Sequence, residues 1–141
     1  CDGRVLWNTN SIKKFSQYLR SLGVNETKEI GESAIAFEYN ELSFIFSSDK
    51  SDPYYMRLIL PNIATSSDYL KNKNEIDIYK EINEYNSKYK AAKMIFFEKS
   101  IWLSVEQFAY SQEKVTDLFS RMIRVLESVI TDFRKKQEKI Q

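Results

Sequence analysis

From position 111 onward the chain repeats apolar residues at helical spacing: Val115, Leu118, Phe119, Met122, Val125, Leu126, Val129, Ile130 and Phe133. Steps of three and four put all of them on one stripe of an α-helix. Ser111 is placed to cap it. Run to about Lys136, the helix spans roughly 40 Å at 1.5 Å per residue. Such a stripe is stable only if buried, so the rest of the chain must supply an apolar surface for it to cover.

That surface reads as strands. AIAFEY (34–39) and LSFIF (42–46) alternate, with Ile35, Phe37 and Tyr39 on one face and Leu42, Phe44 and Phe46 likewise. Asn40-Glu41 between them predicts a β-hairpin. Lys28 to Ile30 extends the first strand beyond a break at Gly31. SSDKSDP (47–53) is a polar loop, and Tyr55 to Leu60 predicts a third strand ended by Pro61. Lys93 to Phe97 and Ile101 to Phe108 predict a second hairpin about Glu98-Lys99-Ser100. Before the strands, Asn10-Ser11 caps a helix with Ile12, Phe15, Leu19 and Leu22 at helical spacing, stopped by Gly23. Between the strand groups, TSSDYLKNKN (65–74) is irregular and Glu75 to Ala91 is helical, with Asn74 as cap. The order α-βββ-α-ββ-α predicts an α+β fold, an antiparallel sheet with helices packed on it. It fits one domain over residues 1–141, with 1–10 as an N-terminal extension.

Composition narrows the chemistry. A hydrophobic fraction of 43% is too high for a disordered chain. With 21 basic and 20 acidic residues the net charge is +1, which argues against a bulk grip on nucleic acid. The local excess Arg134-Lys135-Lys136 with Lys139 reads as a solvated helix end. No apolar run reaches the length of a membrane span. The sequence has no histidine, which excludes Ser-His-Asp and Cys-His nucleophilic sites and His-containing zinc sites. Its one cysteine, Cys1, permits no internal disulfide. No cofactor or metal is expected. A chain starting at Cys1 reads as a fragment of a cytoplasmic protein, with a lipid anchor through Cys1 as the alternative.

Two asparagines interrupt the second helix, where their amides compete for backbone bonds. Tyr79, Ile82, Asn86 and Tyr89 share a face, and Asn83 borders it. Asn83 and Asn86 are therefore expected as structural anchors, bonded to backbone groups of a neighbouring strand. The pattern Ile82-Asn83-Glu84-Tyr85-Asn86, then a hairpin, then a long amphipathic helix, resembles the YbjN-like and type III secretion chaperone-like group. The resemblance covers about residues 11–136 and implies a non-catalytic domain, dimeric, that holds an unfolded segment of another protein.

If Ile101, Leu103 and Val105 face the helices, Trp102, Ser104, Glu106 and Phe108 face away, and Ile95 and Phe97 share a face opposite to Met94 and Phe96. Trp102, Phe97, Ile95 and Phe108 are the expected interface for a homodimer or peptide, unless the N-terminal segment with Trp7 covers them. Asp49 and Asp52 lack the glycine and terminal glutamate of a calcium loop and read as a solvated turn. Tyr54-Tyr55 reads as an edge-strand start. Glu75, Asp77, Glu81 and Glu84 read as one polar helix face with Lys80 and Lys88. The alternative function is a small-molecule-binding or enzymatic domain using carboxylates and tyrosines in a helix–sheet pocket.

Overall fold

A computed structural model describes residues 9–110 and 112–140. The expected Ser111 cap, Cys1 and Trp7 lie outside the described residues. The first helix, α1 (Thr9–Ser21), is followed by β1 (Thr27–Ile30), β2 (Ala34–Tyr39), β3 (Leu42–Asp49) and β4 (Asp52–Thr65). Then come α2 (Glu75–Lys88), β5 (Ala92–Phe97), β6 (Ser100–Phe108) and α3 (Gln112–Ile140). The strands form one antiparallel sheet in the order β1-β2-β3-β4-β6-β5. The fold is α+β, with the helices and strands in the order the sequence implies. Lys28–Ile30 forms a strand of its own, folded back on β2 at Gly31 rather than prolonging it. Gly31 has a φ of 62°, which an L side chain rarely adopts.

Local chemistry sets the boundaries. α1 ends in a paired bond pattern, Val24 N–H to Leu19 O and Gly23 N–H to Arg20 O, both 3.0 Å. That closure needs a left-handed residue, and Gly23 supplies it at φ 92°. At the start of α2, the Asn74 side chain accepts from Asp77 N–H at 2.9 Å. The β2–β3 and β5–β6 turns, Asn40-Glu41 and Glu98-Lys99, have positive φ throughout, the twist that suits tight hairpins.

Pro61 does not end the third expected strand. β4 continues to Thr65, and its pairing with β6 breaks at Leu60↔Leu103 and resumes at Ala64↔Ile101. Pro61, Asn62 and Ile63 thus oppose Trp102 alone, a bulge in which Asn62 takes φ 54°. A proline without N–H is tolerated there because no ladder bond is required of it.

One face of the sheet and the inner stripes of all three helices make a single core. Phe15 of α1 stacks on Phe46 at 3.9 Å between ring centroids and meets Phe119 of α3 edge-on at 5.3 Å. Farther along α3, Phe133 is fully buried against Tyr69 and Tyr85. α2 turns Ile78, Glu81, Ile82 and Tyr85 inward. The inward face is therefore not the Tyr79–Asn86 stripe. Tyr79 is half exposed, and Glu81, expected on the solvated face, is buried because it sits between Ile78 and Ile82 in the true stripe.

Candidate functional site on the open face of the sheet

Strand alternation leaves the second face of the sheet outside this core. Ile45, Ile59, Trp102, Ile95 and Phe97 belong to neither the shared core nor the residues packed against it. Two cross-strand rows run over the middle of this face. One is Ala36–Ile45–Ile59–Ser104–Lys93; the other is Ala34–Ser47–Arg57–Glu106. The β2–β3 half carries Ala34, Ala36, Ser47 and Ile45, and the β4–β6–β5 half carries Arg57, Glu106, Trp102 and Lys93.

The four expected interface residues lie on this face. Ile95 pairs across the ladder with Trp102, and Phe97 meets the Trp102 ring edge-on at 5.6 Å. Trp102 is half-buried, and its Nε1–H donates to Ser100 Oγ at 3.0 Å. Ser100 Oγ in turn donates to Asn62 Oδ1 at 2.7 Å, so the bulge holds the indole in place. Ile95, Phe97 and Phe108 are exposed, Phe108 at 59%. Phe108 pairs with Tyr55, their ring centroids 6.2 Å apart, so one aromatic patch lies at each end of the face. Tyr55, expected at an edge, is instead on the central strand β4.

Between the patches is a polar group. Lys93 Nζ lies 2.7 Å from Glu106, which also accepts from the Tyr55 hydroxyl. The bond to Lys93 holds the Glu106 carboxyl below the usual range. Burial, then the bond to Glu106, pushes the Tyr55 phenol up to about 12. Arg57 is half-buried beside them, and its Nε is closed off from solvent with no hydrogen-bond partner.

A second polar cluster lies between α2 and α3. The Tyr69 hydroxyl donates to Glu81 at 2.9 Å, with Lys73 at 3.4 Å and Lys136 at 3.7 Å. Nearby, Asp132 takes Lys88 at 2.8 Å and the Tyr89 hydroxyl, beside a cavity of about 300 Å³. Carboxylates and tyrosines do meet here, but they bond to one another and to lysines. Burial raises the phenols of Tyr69 and Tyr85, so neither ionises near neutral pH. Among the described residues, no three His, Cys, Asp or Glu side chains gather to hold a metal ion.

The two asparagines separate. Asn86 Nδ2 donates to Met94 O at 3.0 Å, and its Oδ1 accepts from Met94 N–H at 2.7 Å. It does to the edge strand β5 what a further strand would do, from the helix. Asn83 is exposed, and the one bond described for it is made by its backbone carbonyl, to Ser87 Oγ. It anchors nothing. Asp49 accepts from the backbone and hydroxyl of Ser51 within its turn. Arg57 is the residue sequence reasoning missed. A charged residue between Met56 and Leu58 in a central strand is the signal that pointed to it.

No family model matches the chain, and no curated protein matches it. Among solved structures it is similar to an uncharacterized protein from Methanothermobacter thermautotrophicus, with a TM-score of 0.56 and 9% identity. The match covers 89% of this chain and 98% of that one. At that identity the likeness establishes the fold and carries no function with it.

Proposed function

We propose that this chain is a non-catalytic, chaperone-like interaction module that binds a protein segment through the open face of its sheet. The observation that carries the reading is an aromatic and aliphatic face, centred on Trp102, left outside the core that three helices share. Contiguous exposed apolar area of this kind marks interaction surfaces. Indole Nε1 is already satisfied by Ser100, so Trp102 can be covered without stranding a donor. A homodimer would use the same surface, so self-association and segment binding compete for it. The resemblance to the YbjN-like and secretion chaperone-like group points the same way.

The test pairs light scattering over a concentration series with binding to an array of random peptides. The Trp102→Ser/Ile95→Ser variant serves as control, its fold checked by circular dichroism. Self-association or peptide capture by the wild type, lost in the variant at unchanged fold, supports the reading. A monomer at every concentration that captures no peptide overturns it.

A further inference from the structure

We propose that the open face docks a partner-protein segment carrying a carboxylate among apolar side chains, with Arg57 taking the carboxylate. This rests on the reading of the face as a binding surface and names what the surface selects. Arg57 sits on β4 with two strands on one side and three on the other. A buried guanidinium donor without an acceptor is rare in a folded protein, since its desolvation is uncompensated. Glu106, paired with it across the ladder, acts on it through charge alone. Glu106 is bonded to Lys93 and to Tyr55, and no ion pair joins it to Arg57 among the described residues. Lys93 and Arg57 share the one carboxylate of Glu106, so the centre of the face keeps one net positive charge.

The surroundings suit an acid flanked by apolar groups rather than a highly charged chain. Beside Arg57 are the small side chains of Ala34, Ala36 and Ser47, where a segment can lie close to the backbone. On either side along the strands, half-buried Trp102 and the Tyr55–Phe108 pair offer apolar contacts. A second copy is the poorer fit. A two-fold contact presents the same patch from both sides, and one centred on β4 would set each Arg57 against the other. A carboxylate bound by a guanidinium in a partly dehydrated site makes the stronger, charge-assisted bond.

The test selects phage-displayed random 12-residue peptides on the immobilised chain, then measures the winners by fluorescence anisotropy. The expected winners carry Asp or Glu beside aromatic or branched aliphatic residues. Arg57→Leu should weaken them roughly tenfold or more while the thermal midpoint stays level or rises. Selection repeated on Arg57→Glu should yield Lys- or Arg-bearing peptides. Winners indifferent to Arg57→Leu but lost with Trp102→Ser would overturn the carboxylate inference and keep the face as the binding surface. Winners indifferent to both would overturn both. Sedimentation showing a dimer that Trp102→Ser dissolves would also overturn the inference, by giving the face to a second copy.

Discussion

Asn86 supplies a backbone-like pair of bonds from a side chain. Met94 lies on β5, at the edge of the sheet, where its N–H and C=O would otherwise face water or another chain. Removing the amide leaves both groups to be satisfied by water and frees α2 from the edge. Asn86→Ala should cost about 1–3 kcal/mol in urea unfolding, and Asn83→Ala less than about 0.5 kcal/mol. Equal losses would show that the helix, not the amide, holds β5. Asp132 gives a different residue-scale expectation. Its bonds to Lys88 and Tyr89 hold its carboxyl below the ordinary 3.8. A carboxyl depressed in the folded state stabilises at pH above the unfolded value and loses that contribution as pH falls through the folded one. Stability should therefore decline below pH about 4, and Asp132→Asn should flatten that part of the curve. A wild-type curve no steeper there than the variant's would remove Asp132 from the account.

At the scale of elements, the β2–β3 and β5–β6 hairpins turn through left-handed pairs that glycine would occupy without penalty. Lys99 stands at φ 64° and Glu98 at φ 49°, neither a residue that favours that region. Lys99→Gly should raise the unfolding free energy by about 0.5–1 kcal/mol in a denaturant titration. A loss would mean that the lysine side chain does something there that the turn geometry does not reveal. Periodicity made most elements legible from the sequence. Val115 to Phe133 in α3 and the alternations of β2, β3 and β6 follow from apolar spacing alone, because one face of each is buried. What stayed hidden depends on pairing. Lys28–Ile30 has no buried face of its own to betray a strand, and β4 runs past Pro61 only because a bulge removes the need for a ladder bond. In α2 the polar Glu81 disguised the inward stripe, since its burial is compensated by Tyr69, Lys73 and Lys136, which no local pattern announces.

For the molecule as a whole, the asymmetry of the sheet is the dominant fact. Three helices converge on one face and close a core in which Phe44, Phe46, Phe119 and Phe133 are fully buried, while the other face holds its aromatics half in water. The interface residues were legible as a face because alternation alone sorts Trp102 from Leu103. Alternation sorts Arg57 to the same face, but the missing hydrogen bond at its Nε shows only in three dimensions. This division offers an internal reporter. Trp7 and Trp102 are the two tryptophans, so a Trp7→Phe variant leaves one indole, on the open face. A ligand that docks there strips water from Trp102 and should move its emission to shorter wavelength. A ligand held in the α2–α3 cavity, lined by Lys88, Lys136 and Asp132, should leave the emission in place. Titrating the peptide winners into this variant therefore reads location directly. Saturable binding with an unmoved spectrum would place the working surface between the helices and return the open face to the role of bare scaffold.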